Sequence, residues 1–440
     1  MELLEYINRW NSQRLGSLFR EQKKKNTHFA RRNALKFTYG SIVDKPEYDM
    51  TPSLIDTYSK YTLVDEGDIV INCLNLNYDF VSQRVAIVKN SGIITSAYIS
   101  LRARNADINP LYYCYYFKAM DACKMFHGMG TGIRLTLSYN ELRNVPIPVP
   151  PRIEQDQIVR FLDWKVSEIN KLISIRRKEI QELEEYRTVK LTSITHYGLD
   201  ENRTLKDTGY SWIGAIPADW HVRAFSKVAS VKSNIVQPEC YMEEMQVSPA
   251  SIEKNTGKII QTQTVKESGV ISGNHRFYQG QILYSKVRPL LNKVTIAPFD
   301  GLCSADMYPI ETALDTKYFL YFMLSQNFLG QLSMSGNRVK MPKINQDELS
   351  SVLILFPDIK EQKLIAKKLD QLFALVDGQI ERIKQNISLL QELKSVVISD
   401  VVTGKIDVRN VTIPEYEHVD NIYDDNNEDS EETETDGEEA

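Results

Sequence analysis

The stretch IPVPPRIEQDQIVRFL, residues 147–162, returns 207 residues later as ILFPDIKEQKLIAKKL, residues 354–369. In both copies a short apolar run leads to a proline, and a Glu-Gln pair begins four residues later, at Glu154 and at Glu361. Apolar residues then recur at spacings of three and four. A match held at one constant offset indicates a duplicated rigid element within the chain.

The duplicated element is predicted to be a long helix. Proline is absent from Glu154 to about Thr195 and again from Glu361 to about Val402, and the apolar spacing is that of an a/d seam. The prolines before each copy and the acidic residue in its first turn suit a helix N-terminus. Each seam needs a partner, and the other copy is the simplest one, which predicts a coiled coil within the chain. The alternative is two separate helices in unrelated cores.

The segments before each helix have a different pattern. Short β-rich runs are separated by Gly, Asn and Asp, and an aromatic-rich, helix-like stretch follows in each copy, at 109–126 and at 315–332. Gly67-Asp68-Ile69 and Gly280-Gln281-Ile282 match, but at a shifted offset, as expected where loops differ in length. Each copy is therefore predicted to open with a mixed α/β domain of about 150 residues, an ordinary domain size.

Composition excludes several classes of protein. The sequence contains no run of about 18 apolar residues, so no membrane span is predicted. The first ten residues, MELLEYINRW, do not resemble a signal peptide. The five cysteines are scattered without a CxxC pair, which argues against a disulfide framework or a zinc site. A cytoplasmic protein without membrane partners is expected.

The net charge of -5 conceals an uneven distribution. Thirteen acidic residues and no Lys or Arg lie after Arg409, so residues 1–410 carry a net charge of +8. The tail, residues 411–440, is predicted to be disordered because like charges and few apolar residues cannot form a core. It could be a solubilising tail or an intramolecular competitor for a basic surface. A positive body favours a polyanionic partner.

Three motifs together resemble a known family. The first is the Pro-rich run and Glu-Gln helix start, present twice. The second is YSWIGAIPADW, residues 210–220, and the third is a glycine-plus-basic turn before each Pro-rich run, in MGTGIRLTLSYNEL and MSGNRVKMPKINQDEL. The chain is similar to specificity subunits of type I DNA restriction–modification systems over residues 1–410. It departs from them in its shortened start, WNSQRL at residues 10–15, and in its acidic tail.

The resemblance implies an α+β fold with a pseudo-twofold internal repeat, in which two target-recognition domains are separated by two long antiparallel coiled-coil helices. The predicted boundaries are 1–150 for target-recognition domain 1, 151–200 for the central helix, 201–355 for domain 2, 356–410 for the distal helix and 411–440 for the tail. The helices would act as a spacer between two unlike readers.

The resemblance also implies a function. Such a subunit reads a bipartite, asymmetric target in double-stranded DNA and has no catalytic or metal-binding residues of its own. Methylation and cleavage belong to partners, namely two methyltransferase subunits and the restriction subunits. S-adenosylmethionine, ATP and Mg²⁺ are expected in those partners and not in this chain.

Candidate DNA contacts follow from the residue types that reach base edges and phosphates, which are Arg, Lys, Asn and Gln, and from glycines that let the backbone approach closely. The candidates in the first domain are Lys23, Lys24, Lys25, Arg31, Arg32, Asn75, Asn77, Gly130, Thr131, Gly132 and Arg134. Those in the second domain are Lys286, Arg288, Asn292, Lys293, Gly336, Asn337, Arg338 and Lys340.

Two other hypotheses compete with DNA recognition by a non-catalytic subunit. One is a solo adenine-specific DNA methyltransferase, suggested by the GxGxG at 128–132 and by Asn109-Pro110-Leu111-Tyr112. The glycine motif does not follow a strand and open a helix as a cofactor loop should, which disfavours this enzyme. The other is a scaffold that binds the methyltransferase without DNA specificity. Activity without a partner would favour the first, and binding without sequence preference the second.

Overall fold

The structure is a computed structural model that describes residues 9–38, 40–46, 50–77, 83–130, 135–200, 202–334 and 343–420. The chain forms two compact units. Unit 1 combines residues 1–177 with 384–440, and unit 2 is residues 178–383. Each unit contains one of the predicted α/β domains and part of both predicted long helices. The units therefore divide the helices, whereas the predicted boundaries divide the chain at the helix starts.

Unit 1 opens with short strands and short helices before its long helix. Its strands are β1 (Ser12–Arg14), β2 (Phe19–Glu21), β3 (Leu35–Thr38), β4 (Ser41–Asp44), β5 (Thr62–Val64), β6 (Ile69–Ile71), β7 (Val85–Ile87), β8 (Gly92–Ile94), β9 (Ile99–Ala103) and β10 (Pro146–Pro148). Its short helices are α1 (Leu15–Leu18), α2 (Pro52–Ser59), α3 (Pro110–Ala122) and α4 (Tyr139–Leu142). The first long helix is α5 (Arg152–Tyr197), which unit 1 shares with unit 2.

Among the residues that the structure describes, unit 2 has more strands than unit 1. They are β11 (Leu205–Asp207), β12 (Ala215–Pro217), β13 (His221–Ala224), β14 (Ala229–Val231), β15 (Ile235–Val236), β16 (Met245–Val247), β17 (Gln263–Thr264), β18 (Asn274–Phe277), β19 (Ile282–Ser285), β20 (Val294–Ile296), β21 (Gly301–Cys303), β22 (Met307–Thr312) and β23 (Leu353–Phe356). Its helices are α6 (Phe225–Val228), α7 (Val265–Ser268), α8 (Thr316–Leu324), α9 (Gln326–Met334) and α10 (Gln346–Ser351). The second long helix is α11 (Ile359–Val402).

The repeat predicted from the sequence is present in the sheets. Unit 1 has a four-stranded antiparallel sheet in the order β2-β9-β6-β7, and unit 2 has one in the order β14-β22-β19-β20. The register agrees as well, since Ile69 lies opposite Leu101 and Ile282 lies opposite Ile310. Unit 2 adds a five-stranded sheet, β15-β18-β21-β16-β17. The mixed α+β fold and its internal repeat are therefore confirmed.

Aromatic helices close the core of each unit. Tyr112, Tyr113 and Phe117 of α3 are fully buried against the sheet of unit 1, and Tyr318 and Phe319 of α8 are fully buried in unit 2. Large rings supply much of the apolar area that a domain of this size needs to bury. Both aromatic-rich stretches were predicted to be helical, and both are.

The long helices pack antiparallel within unit 1. They begin two residues before the predicted glutamates. The Lys394 ammonium donates to Asn170 Oδ1 at 3.1 Å, and the Gln157 amide donates to the carbonyl of Val408, just past the end of α11, at 3.0 Å. Residues later in α5 therefore contact residues earlier in α11, as in the predicted antiparallel coiled coil.

Unit 2 contains the other halves of the same helices, in the same antiparallel sense. Arg187 pairs with Asp377 at 2.9 Å, and Arg203, just past the end of α5, pairs with Glu361 at 2.7 Å. Lys394 lies 207 residues after Arg187, and Asn170 lies 207 residues before Asp377. The Lys394–Asn170 pair of unit 1 is thus equivalent to the Arg187–Asp377 pair of unit 2. A neutral amide in one unit therefore takes the place of a carboxylate in the other.

The repeated Glu-Gln motif ties each long helix to its domain. Gln155 Oε1 accepts from the backbone N–H of Asn109 at 2.8 Å, and Gln362 Oε1 accepts from that of Asp315 at the same distance. Each glutamine also donates to the carbonyl of the proline five residues before it, at 2.8 and 2.9 Å. Both side chains are buried. The motif thus satisfies buried backbone groups where the strand enters the helix.

The two tryptophans of the second motif, YSWIGAIPADW, have different roles. Trp212 is 54% exposed, whereas Trp220 is fully buried against Gly198 at the end of α5. Trp10 packs in the same way on Gly404, just past α11. Both glycines have a φ near +77°, a conformation that ends helices and leaves room for the ring. The shortened start of the chain therefore retains the counterpart of the packing tryptophan.

The predicted boundary of the tail needs correction. Residues 411–440 were predicted to be disordered, but residues 411–420 contact α5 in unit 1. The Asn170 amide donates to the carbonyl of Val419 at 2.9 Å, for example. This segment, VTIPEYEHVD, contains four apolar aliphatic or proline residues and can pack. Residues 421–440, which carry most of the acidic residues, lie outside the described residues.

Across the described residues, no helix is long and apolar enough to cross a membrane.

Candidate nucleic-acid interface

In unit 1 the structure brings the loop after β6 next to the segment that follows the predicted glycine turn. The backbone N–H of Leu137 donates to the carbonyl of Cys73, and that of Leu76 donates to the carbonyl of Leu135, both at 3.2 Å. A Cβ on Gly130 would lie 3.1 Å from the Leu76 side chain and from the backbone of Leu135. Gly130 therefore allows close packing of the turn on this loop. Thr131, Gly132 and Arg134 lie outside the described residues.

Unit 2 repeats this arrangement with β19. The backbone N–H of Ile344 donates to the carbonyl of Lys286 at 2.9 Å, and Val287 forms a β-bridge with Lys343. The predicted contacts Gly336, Asn337, Arg338 and Lys340 precede this segment and lie outside the described residues.

These contacts identify equivalent positions in the two units. Leu137 and Ile344 are 207 residues apart, so their acceptors, Cys73 and Lys286, correspond. Two residues further on, Asn75 and Arg288 then correspond as well. Both are exposed, and both have a positive φ, 52° and 48°. Non-glycine residues with such a backbone are uncommon and cluster at functional sites.

Arg288 is well placed to contact an anionic partner. Within the described residues its guanidinium makes no hydrogen bond or ion pair, and it lies on an exposed loop between β19 and β20. The ammonium of Lys286 lies 5.3 Å from the centre of the Tyr308 ring. Lys343, beside the same loop, pairs with Asp306 at 3.0 Å. Lys286 and Arg288 of the loop and Lys343 beside it therefore form a group of cations, in which Asp306 is the carboxylate paired with Lys343 among the described residues.

Two predicted contacts in this loop have structural roles. Asn292 is fully buried, and its amide donates to the carbonyl of Leu324 at 3.0 Å. The Lys293 ammonium donates to the carbonyl of Pro249 at 2.8 Å. The Asn292 side chain thus lies inside unit 2 and not on its surface, because the loop needs an anchor where it returns to β20. The sequence pattern alone could not distinguish a side chain that anchors the loop from one that contacts DNA.

The lysines of the first predicted basic run lie at the same end of the sheet as Asn75 and Asn77. The strands β2 and β6 are both antiparallel to β9, so their C-terminal ends share one edge. The run Lys23, Lys24 and Lys25 follows β2 and is exposed. Lys23 pairs with Glu21 at 2.9 Å. Asn77 is half-buried. The topology therefore groups these five predicted residues, although they lie far apart in sequence.

The two arginines that follow this run differ from each other. Arg31 pairs with Asp65 at 2.5 Å and donates to the carbonyl of Val64 at 2.7 Å. Burial opposes the ionisation of Asp65, but hydrogen bonds and charges from Arg31 and Arg102 outweigh burial and lower its pKa. Arg32 is exposed and lies over the ring of Phe29. Arg31 therefore joins a structural ion-pair network, whereas Arg32 is accessible to a partner.

Sequence reasoning missed two residues at the matching edge of unit 2. Lys232 directly follows β14, at the position that Gln22 has after β2, and it pairs with Glu311 at 3.1 Å. It stands alone in the sequence, so only its position after the first strand of the sheet could have identified it. His275 is buried beside Ser233, and burial first and the charge of Lys286 second lower its pKa. His275 is therefore neutral near pH 7.

Comparisons with known proteins identify the family of the chain. A family model described as the type I restriction modification DNA specificity domain matches residues 8–185 and 225–388, which together span most of the chain. The type I restriction enzyme EcoDI specificity subunit of Escherichia coli is 32% identical over 281 residues, 60% of this chain and 63% of that one. This chain thus matches a little under two thirds of that relative's length.

Two further relatives cover more of the chain. The MjaVIII specificity subunit of Methanocaldococcus jannaschii is 24% identical over 368 residues, 80% of this chain and 84% of that one. A solved structure concerned with complex assembly of a type I R-M system has a TM-score of 0.62 at 13% identity and covers 90% of this chain and 98% of its own. This likeness supports the same fold over nearly the whole chain.

Proposed function

Because the chain belongs to the family of type I restriction–modification DNA specificity domains, we propose that it selects the DNA sequence on which a type I complex acts. Each unit reads one half of a bipartite target in double-stranded DNA. The repeated loop arrangement after β6 and β19 forms the reading surface of each unit.

One observation supports an asymmetric target sequence. Asn75 and Arg288 occupy equivalent exposed positions, yet they have different chemistry. In the major groove asparagine pairs with adenine and arginine with guanine, each through two hydrogen bonds. Two readers that differ at this position would prefer different bases, so the target is not a palindrome.

Exposed apolar residues on the long helices support two equivalent docking surfaces for methyltransferase subunits. Leu393 and Val396 of α11 are 49% and 48% exposed in unit 1. Their counterparts 207 residues earlier, Tyr186 and Val189 of α5, are 48% and 65% exposed in unit 2. Apolar pairs that recur at equivalent exposed positions favour a partner that binds twice.

The chemistry is assigned to partners in this proposal. Two methyltransferase subunits bring S-adenosylmethionine, and restriction subunits bring ATP and Mg²⁺, whereas this chain supplies no catalytic group. Positively charged loops suit phosphate binding, which positions a protein on DNA, and base contacts then supply specificity.

Mapping of methylated adenines by single-molecule sequencing tests the proposal. Cells that express the chain with its methyltransferase partner should methylate one bipartite sequence, and cells that express either protein alone should not. Methylation by the chain alone would identify a solo methyltransferase and overturn the proposal. Binding of the methyltransferase without any common sequence at the methylated sites would identify a scaffold and overturn it equally.

A further inference from the structure

The tip of the loop between β19 and β20 exposes two neighbouring leucines. Leu290 is 58% exposed and Leu291 is 38% exposed, in a short 3₁₀ turn at Pro289–Leu291. These side chains are accessible in unit 2, although burying an apolar side chain lowers the free energy. Two adjacent apolar side chains exposed at one loop tip form a small contiguous patch that a partner can cover, unlike a single exposed apolar side chain.

The tip is held in one conformation. Arg288 and Asn292 on either side both have left-handed backbones, and Pro289 fixes a third φ. The N–H of Leu291 donates to the carbonyl of Arg288 at 2.8 Å. The buried Asn292 anchors the return of the chain. Because these backbone angles and the anchor restrict the loop, less conformational entropy is lost when the leucines enter a partner than for an unrestrained loop.

The surroundings of the tip are those of the proposed DNA surface. Helix α9 packs on this turn, and Lys343 forms a β-bridge with Val287 just before it. Lys286 and Arg288 precede the leucines directly. Cations beside an apolar tip match phosphates beside stacked bases, whereas an apolar protein surface would need no such cations.

We propose that Leu290 and Leu291 form a wedge that enters between two base pairs in the half-site read by unit 2. This inference rests on the proposed function and extends it to the manner of reading. A side-chain wedge unstacks one step, and the cost of unstacking depends on the sequence. Pyrimidine–purine steps such as TA and CA deform most easily. Unit 2 therefore selects such a step through deformability, besides any base contact by Arg288.

The wedge can be detected with 2-aminopurine placed at successive positions of the mapped half-site. Binding of the complete complex with its methyltransferase partner should raise the fluorescence at one step other than the methylated adenine, since the methyltransferase flips that base itself. The double variant Leu290→Ala/Leu291→Ala should lose this rise and bind the target on the order of tenfold more weakly. Its affinity for unrelated DNA should not change.

Two control variants make the result specific. Ile271→Ala removes an apolar side chain of unit 2 that is 81% exposed in the loop before β18, and it should retain the fluorescence rise. Leu290→Met/Leu291→Met preserves apolar volume and should retain it too. Thermal unfolding of all three variants should match that of the native chain, because exposed side chains contribute little to stability.

Three results would overturn the inference. The first is an unchanged fluorescence rise in the double alanine variant, and the second is a native complex that binds its target specifically without unstacking any step. The third is loss of the methyltransferase partner from the alanine variant, which would make the tip a protein contact. A native complex with no sequence preference would instead overturn the proposed function, so the two failures are distinguishable.

Discussion

Asn75 and Arg288 occupy the same position in two copies of one loop, each two residues after a carbonyl that accepts from the backbone N–H of Leu137 or Ile344. Both have a left-handed backbone and an exposed side chain. One local framework therefore presents an amide in unit 1 and a guanidinium in unit 2. Under the proposed function, such a loop can change the base that it prefers without a change of fold.

Replacement of Arg288 should affect only one half-site. Arg288→Ala removes a guanidinium that can donate two hydrogen bonds to guanine, so discrimination at one base pair should fall by about 10- to 100-fold. The other half-site should be unchanged. Methylated-adenine mapping in cells that carry the variant measures both effects. Arg223→Ala, at an exposed arginine of β13, is the matched control, and an unaltered methylation pattern in Arg288→Ala would exclude base reading by this residue.

The two docking surfaces should be separable by mutation. Leu393→Asp/Val396→Asp should release one methyltransferase subunit, and Tyr186→Asp/Val189→Asp should release the other, because a charge cannot enter an apolar interface without large cost. Native mass measurement of the purified complex would show the loss of one subunit in each case. Leu375→Asp alters a residue that is 62% exposed but corresponds to Glu168 in the other copy, so it should leave the complex intact. Retention of both subunits in both variants would locate docking elsewhere.

The glutamines of the Glu-Gln motif should stabilise the units rather than bind DNA. Gln362→Ala leaves the half-buried backbone N–H of Asp315 and the buried carbonyl of Pro357 without this partner, which should lower the free energy of unfolding by about 2 kcal/mol. Gln155→Ala should have a similar effect through Asn109. Denaturant unfolding measures the change. Glu361→Gln keeps a polar group next to this buried site and is a milder control, and a loss below about 0.5 kcal/mol in both alanine variants would contradict this assignment.

The stability of unit 2 should fall with acid before its carboxylates titrate. Burial and the charge of Lys286 lower the pKa of His275 below its usual 6.5. The unfolded chain therefore binds a proton at a higher pH than the folded chain does, and stability is lost as pH falls through 6.5. Unfolding free energies at pH 7.5 and 5.5 should differ more in the native chain than in His275→Gln. His221→Gln, at an exposed histidine, should behave as the native chain does, and equal differences in all three proteins would refute a role for His275.

Much of the architecture follows from periodicity and from the repeat. The helix starts were predicted to within two residues, because prolines and the Glu-Gln pair mark them in both copies. The division of each long helix between two units was not predicted, since the seam is continuous and shows only that one face is buried. Which domain a helical turn joins depends on contacts between residues far apart in the chain.

The candidate contacts were harder to predict. Lys24 and Arg288 are exposed as expected, but Asn292 is buried and Arg31 pairs with a carboxylate. A basic or amide side chain near a turn can bind a ligand or hold the turn itself, and its residue type is the same in both cases. The correspondence of Asn75 with Arg288 also needed the hydrogen-bond register, because the loops differ in length.

The discontinuous composition of unit 1 has a consequence for biosynthesis. Unit 2 is a single segment, residues 178–383, whereas unit 1 needs residues from both ends of the chain. Domains generally fold as their segments leave the ribosome. Unit 1 is thus begun first and completed last. The apolar stripe on the first part of α5 has no α11 partner while unit 2 is being translated. During that interval a nascent chain would depend on chaperones, or on a second chain, to cover the stripe.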